Sequence, residues 1–366
     1  MGSFFCPYRK ICVTLHPCKK NSDVEVQTLH IFNPEHDIAL ASNLANFTAP
    51  HAGRQLRSDL GFLPVLWADE ADAVLVDNVE VAARSCQRLC RKMGKTPCRF
   101  VDKSQLGHLD IVRIEPWGWD LALRAMLKRN GVGEGLLPSD EQLERIRLLS
   151  HRRTSAQLLP LLQMDGTVGE AFECTTTEQV ATLKERYGQV VVKAPWSSSG
   201  RGVRFDENVA WVANVIARQG SVMVEPYYNK VRDFGMEFES TASGIRFMGL
   251  SLFHTRKGAY TGNILATEQA KREQMGRYVS LDLLDAVCLQ VVQRLDLDDY
   301  RGPFGLDMMV VKGDGGFLLH PCVEINLRRT MGHVALSLSP DDDELVRVMQ
   351  ISYDNRYKLS VRHIVH

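Results

Sequence analysis

The sequence predicts an α/β chain with a doubly wound parallel first half and an α+β second half rich in antiparallel strands. Three observations predict it. Strand-like and helix-like segments alternate through residues 26–131. A helix-rich stretch follows at 138–163, and from residue 189 onward short strands crowd together. Strands separated by helices pair in parallel, whereas closely spaced strands pair as hairpins. We read 1–22 as a loosely ordered tail, 23–137 as the parallel α/β domain and 138–366 as a two-lobed domain able to enclose a ligand.

The elements follow in order. VQTLHIFNP (26–34) is a strand pattern that stops at Pro34, and LPVLWA (63–68), ADAVLV (71–76) and LDIVRIEP (109–116) are further apolar runs of strand length. Helices are expected near 78–93 and 119–131. GVGEG (131–135) follows that second helix, so Gly131 reads as a helix C-cap glycine rather than part of a dinucleotide fingerprint. In 138–163, Ser139 and Gln142 form a capping box. Strands are expected at 189–195, 202–205, 221–228, 235–241, 245–253, 305–311 and 317–326, and helices near 176–187, 206–218, 280–296 and 340–353.

Composition removes several classes of function. Among 366 residues, 44 Lys+Arg balance 44 Asp+Glu, which argues against a basic nucleic-acid module. Hydrophobic residues at 45% and charged residues at 24% fit a globular chain. No apolar run reaches the roughly 18 residues of a membrane span, and the opening segment has no continuous apolar core of a signal peptide. Nine cysteines, without paired C-x-x-C knuckles, read as free thiols of a reducing, cytoplasmic setting. The groups Cys6, Cys12, Cys18 with His16, and Cys86, Cys90, Cys98, are weak as metal sites for the same reason. There is no P-loop, no G-x-S-x-G elbow and no H-E-x-x-H, and Asp233-Phe234-Gly235 lacks the catalytic loop of a kinase.

Three segments fit one chemistry. In VVVKAPWSSSGRGVRF (190–205), Lys193 ends a β-branched strand, and Ser198, Ser199, Gly200 and Gly202 belong to a small-residue loop. Backbone N–H groups of such a loop approach phosphate oxygens closely. A Ser/Gly hairpin turn with an edge lysine has the same sequence. In SVMVEPYYNKVRDFGMEFE (221–239), the extended Glu225-Pro226-Tyr227 offers backbone groups to an adenine edge, and Asp233 offers a carboxylate to ribose hydroxyls. Acids in surface turns are common, so this segment is weak by itself.

The third segment, RGPFGLDMMVVKGDGGFLLHPCVEINLRRTMGH (301–333), is the sharpest. A two-residue turn at Asp314-Gly315 pairs residue 313 with 316 and sets Asp307 opposite Cys322. Glu324 is then the diagonal neighbour of Asp307, about 7–8 Å away, with Asn326 next on the same face. Asp307, Glu324 and Asn326 supply hard oxygen ligands suited to Mg²⁺, with Mn²⁺ as a substitute, and Arg328 continues that side. A solvated polar face is the alternative, but Leu306, Met308, Val310, Val323 and Ile325 make the opposite face apolar.

Over roughly residues 138–338 these segments resemble the ATP-grasp superfamily, and the domain before them stands where that family has its pre-ATP-grasp domain. The resemblance makes Lys193 with SSSGRG the phosphate strand and glycine loop, and VEPYY the adenine hinge. It makes Asp307, Glu324, Asn326 and Arg328 the magnesium and phosphate constellation. The family's second phosphate lysine is replaced here by Arg152, and serines stand where many members have glycines. The implied activity is an ATP- and Mg²⁺-dependent ligase joining a carboxylate, by way of an acyl phosphate, to an amine. Lys193 and Arg328 would be catalytic by neutralising charge.

Small-molecule or peptide carboxylates and amines are the expected partners, with no nucleic acid or membrane, and the reading allows a homodimer. Substrate contacts are expected from Glu35 and His36 in FNPEHD, Trp117 in EPWGWD, Lys257 and Tyr260 in HTRKGAYTGN, and from Arg329 and His333. Helix capping by Asp37 or Asp120 and core packing of the tryptophans are the alternatives for the first two loops. A small-molecule kinase on the same fold, or a non-catalytic nucleotide-binding scaffold, are the competing functions.

Overall fold

A computed structural model describes residues 25–93, 96–197, 200, 202–205, 208–256, 259–297, 300–343 and 345–363. The expected tail at 1–22, with Cys6, Cys12, Cys18 and His16, lies outside the described residues, as do Ser198, Ser199 and Lys257.

The first unit runs β1 (Glu25–Ile31), α1 (His36–Ser42), α2 (His51–Leu60), β2 (Ala73–Leu75), α3 (Val79–Met93), β3 (Arg99–Val101), β4 (Asp110–Pro116) and α4 (Leu121–Arg129). Its four strands form a parallel sheet in the order β3-β2-β1-β4. The chain passes from β1 to β2 on one side and reaches β4 on the other, so the sheet switches direction between β1 and β4. Ligands of doubly wound sheets bind at such a switch, beyond the strand C-termini. The loops found there are 32–35 and 117–120, and both carry residues picked out by the sequence.

The second half continues with α5 (Asp140–Leu149), α6 (Arg152–Leu158), β5 (Phe172–Cys174), α7 (Thr177–Tyr187), β6 (Val190–Lys193), β7 (Val203–Arg204), α8 (Val209–Gln219) and β8 (Val222–Pro226). Strands β5-β8-β6-β7 make one small antiparallel sheet, which buries Val190, Val192, Val222 and Val224 against α7 and α8. There follow β9 (Lys230–Thr241), β10 (Gly244–Ser251), β11 (Phe253–Arg256), β12 (Ala259–Leu265), α9 (Glu268–Met275), α10 (Leu281–Arg294), β13 (Gly302–Gly313), β14 (Gly316–Asn326), α11 (Met331–Leu338), β15 (Arg347–Asp354) and β16 (Arg356–His363). They form two sheets, β10-β9-β13-β14 and β11-β12-β15-β16. The fold class is therefore the one expected, a parallel α/β unit followed by antiparallel lobes. Among the described residues no helix is long and apolar enough to cross a membrane.

Local chemistry explains most boundaries. Ser139 Oγ accepts from Gln142 N at 3.2 Å while Gln142 Oε1 accepts from Ser139 N at 2.9 Å, the capping box expected at the start of α5. Gly131, with φ at +86°, closes the end of α4 in the conformation glycine adopts without strain.

Three expectations are corrected. Residues 63–68 are not a strand: Leu63–Leu66 is a 3₁₀ turn with Pro64 near its start, where the missing N–H costs nothing. Residues 340–353 are not a helix: the chain there enters β15, which pairs with β12 on one side and β16 on the other. The register of the β13–β14 hairpin also departs from a uniform ladder, as described below. Cys86, Cys90 and Cys98 pack in an apolar core, where burial and the neighbouring Cys90 push the Cys86 thiol up to about 12.

Candidate functional site

The centre of the site is the β13–β14 hairpin. From Gly313↔Gly316 to Met309↔His320 the pairing follows the Asp314-Gly315 turn as expected. Pairing then resumes at Asp307↔Glu324, so Pro321, Cys322 and Val323 stand against Met308 alone. A proline cannot donate to a ladder and is tolerated at a bulge of an edge strand, and β14 is an edge. The correction matters for chemistry. Asp307 faces Glu324 directly, not Cys322, which brings the two carboxylates closer than the diagonal placement.

A third carboxylate joins them. Strand β9 sets Glu237 opposite Gly305 and Gly235 opposite Asp307, so Glu237 shares the face of Asp307. Burial, then the charges of Glu324 and Glu237, push the Asp307 carboxyl up to about 8. Among the described residues, no Lys, Arg or His forms an ion pair with Asp307; its partner is Asn326, whose Nδ2 donates to Oδ2 at 3.1 Å. A half-buried carboxylate crowded by two others, and without an ion-pair partner among the described residues, fits a divalent ion. Among the described residues no three His, Cys, Asp or Glu side chains form a metal cage of their own. Such an ion would be held by Asp307 and Glu324 with the Asn326 amide, and by ligand oxygens for the rest, the habit of Mg²⁺.

Cations surround this face. Arg152, buried at the start of α6, donates to the Ala194 carbonyl, to Ser197 Oγ at 2.9 Å and to Glu324 Oε1 at 2.6 Å. Lys193 closes β6 and donates to both Glu225 oxygens, at 2.6 and 2.7 Å, in a pair almost wholly out of water. Arg328 donates to Asn326 Oδ1 at 2.9 Å and forks onto Asp37 of α1. Burial would raise the Asp37 carboxyl, but the Arg328 guanidinium overrides it and holds it below the usual carboxylate range. Asp37, Ser150, Pro195, Trp196, Ser197, Glu324 and Asn326 line one narrow cleft.

The residues expected on the nucleotide side divide. Gly202 lies beside Ser197 and its carbonyl accepts from Ala194 N at 2.7 Å; Gly200 precedes it with φ at +70°. Tyr227 is exposed, its ring 6.2 Å from Phe205 in a T-shaped pair, and its N–H donates to Gln189 O at 2.9 Å. The hinge therefore already uses that donor within the sheet. The Glu225 carboxylate faces Lys193. Asp233 accepts from Lys230 Nζ and Thr255 Oγ1, each at 2.6 Å.

The expected substrate residues are less uniform. Glu35 pairs with Arg57, and burial raises its carboxyl against that partner's pull. His36 is buried with Nδ1 3.3 Å from Asp120 Oδ2. Trp117, expected to face a substrate, instead packs in the core, edge-on to Phe32 at 4.9 Å. Tyr260 donates to Asn263 Oδ1. Arg329 stacks over Trp67 at 4.3 Å with Glu115 3.9 Å away. His333 caps α11 with Thr330 and lies 3.0 Å from Glu237 Oε2.

Sequence reasoning missed Glu237 and Trp67, and it singled out Asp37 without its partner: Asp37 does not cap α1 but accepts from Arg328. The signal for Glu237 was its alternation with Gly235, but only the β9–β13 pairing turns that alternation into a place beside Asp307.

No family model matches the chain, and no curated protein matches it. Among solved structures it is similar to N5-carboxyaminoimidazole synthetase from Staphylococcus aureus complexed with ADP, at 12% identity over 91% of this chain and 84% of that one, with a TM-score of 0.48. It is similar to biotin carboxylase from Campylobacter jejuni in its β-γ-ATP complex, at 14% identity over 76% and 75%, with a TM-score of 0.45. Similarity to a RimK domain protein ATP-grasp from Sphaerobacter thermophilus DSM 20745 reaches 19% identity over 72% and 96%, with a TM-score of 0.38. Likeness at this level concerns chain arrangement and brings no substrate or activity to this chain.

Proposed function

We propose that the chain is an ATP- and Mg²⁺-dependent ligase that joins a carboxylate to an amine through an acyl phosphate. The observation that carries the reading is the convergence of Asp307, Glu324 and Asn326 with Arg152 and Arg328 on one face, with Lys193 one residue before the Ala194 carbonyl that Arg152 reaches. Phosphoryl transfer asks a protein for positioning and charge neutralisation rather than a nucleophile. Lys193 and Arg152 flank the small-residue loop and would steady phosphate oxygens. Arg328 stands beside Asn326 and would steady the phosphoryl group in transfer. A Mg²⁺ ion held at Asp307, Glu324 and Asn326 would neutralise phosphate charge.

The acid and the amine would enter at the switch of the parallel sheet, between Glu35 with Asp37 at the start of α1 and the loop that carries Trp119 and Asp120. Glu35, His36 and Asp120 stand there, with Arg329 and Glu115 3.9 Å apart nearby, which suits small charged substrates rather than a nucleic acid. ADP release from wild-type protein, screened over pairs of carboxylic acids and amines, tests this. A product with a new C–N bond, and loss of at least a hundredfold in rate for Glu324→Gln, is expected. A phosphorylated but unligated product would contradict the ligase and favour a kinase.

A further inference from the structure

We infer that Asp37 is the positioning residue for Arg328, and that it makes the phosphoryl-side arginine depend on the docking of the first unit; the inference rests on the site reading given above. Arg328 lies just beyond β14, so no strand ladder fixes the direction of its side chain. A long arginine side chain samples many rotamers, and holding it in one place needs directional partners. Asp37 provides them. Arg328 Nε donates to Asp37 Oδ1 at 2.9 Å and Oδ2 at 3.1 Å, and Nη2 donates to Oδ2 at 2.8 Å. Two nitrogens of the fork on one carboxylate fix the plane of the guanidinium as well as its position.

The remaining donors can be followed one by one. Nη2 also donates to Asn326 Oδ1 at 2.9 Å, and Nη1 donates to Arg329 O at 3.2 Å. Of the five N–H groups of a guanidinium, these contacts occupy four, which leaves one on Nη1 for an incoming phosphoryl oxygen.

The helix that carries Asp37 is anchored on both sides. Asn33 Nδ2 donates to Gly118 O at 2.8 Å and to Asp120 Oδ2 at 3.3 Å, and Asp120 caps α4 through Leu123 N at 2.9 Å. At the other end of α1, Arg147 Nε donates to Leu40 O at 3.0 Å. Both members of the Asp37–Arg328 pair are only 16% exposed, so the ion pair is not one of the solvent-screened pairs that contribute little. It joins residues 291 positions apart in the chain.

The test uses full-length wild type, Asp37→Asn, Asp37→Ser and Asp37→Glu. Each is titrated with a nonhydrolysable ATP analogue and with ADP–aluminium fluoride, a mimic of the phosphoryl group in transfer, both with Mg²⁺, and melting temperatures are recorded. Asp37→Asn should bind the ATP analogue within about twofold of wild type yet lose roughly tenfold or more in affinity for ADP–aluminium fluoride. Asp37→Glu, which keeps the charge, should recover most of that loss. Equal losses for both ligands, unchanged binding of both, or tighter binding of ADP–aluminium fluoride would each overturn the inference. Asp37→Ser repeats the test if the asparagine variant does not fold; failure of both to fold, with Asp37→Glu normal, would reduce Asp37 to a structural role and overturn it as well. Wild type that binds neither ligand would remove the site reading and this inference together, whereas binding by wild type and Asp37→Asn alike removes the inference alone.

Discussion

His320 shows how a single side chain can report on the whole site. It is fully buried on β14, its ring 5.3 Å from Tyr228, and burial, then the charge of Lys193, push its pKa down to about 3. His151, buried at the start of α6, is pushed down to about 4 by burial and then by Arg153. Both are neutral in the folded protein, while the unfolded chain takes up protons below about pH 6.5. The stability these two histidines contribute is therefore fully present above that pH and is lost as acid approaches the folded values. We expect acid-induced loss of stability between pH 6.5 and 4, and His320→Leu should reduce it by roughly 1–3 kcal/mol in urea unfolding curves taken at the two pH values. An identical pH dependence in the variant would show that His320 does not titrate with unfolding.

At the scale of elements, the hairpin separates what the sequence tells from what it does not. Asp314-Gly315 is a local signal, and the pairing it implies is followed as far as Met309↔His320. The bulge at Pro321 is set by the neighbouring strand and by α6, whose Ser155 Oγ accepts from Ile325 N at 2.9 Å. Nothing local fixes its size, so a uniform ladder sets Asp307 opposite Cys322 rather than Glu324. Residues 340–353 depart from the helix expectation for a related reason: an acidic start followed by apolar residues suits a capped helix, and only the partner strands β12 and β16 make Arg347–Asp354 a strand. The E-x-N-x-R spacing at Glu324, Asn326 and Arg328 was legible because it lies within one segment, whereas Glu237 and Asp37 arrive from elsewhere in the chain. Glycine at 332 makes room for Glu237: a Cβ there would overlap its carboxylate, and one at Gly305 would stand 2.7 Å from it. Gly332→Ala should therefore cost about 1–3 kcal/mol in denaturant unfolding and weaken Mg²⁺-dependent nucleotide binding. Wild-type stability and binding in that variant would mean that Glu237 is free to move.

Across the whole molecule, the site is an assembly of distant parts. The parallel unit contributes Asp37, the small antiparallel sheet contributes Lys193 and Glu225, α6 contributes Arg152, and the β9–β13–β14 sheet contributes the carboxylates. One apolar core holds the first and last of the chain's sheets together, with Phe32, Leu63 and Val74 packed in the same cluster as Leu265 and Met349. Charges buried at such a junction are stable only when paired, and each cation here has an internal acid. Asp307 is a carboxylate that forms no ion pair among the described residues, and it is the centre of the functional claim. The most direct measurement is calorimetric titration of wild type and Asp307→Asn with a nonhydrolysable ATP analogue, with and without Mg²⁺. The account predicts Mg²⁺-dependent binding by wild type that falls on the order of tenfold or more in the variant. Binding of equal strength in both proteins, or binding indifferent to Mg²⁺, would contradict it.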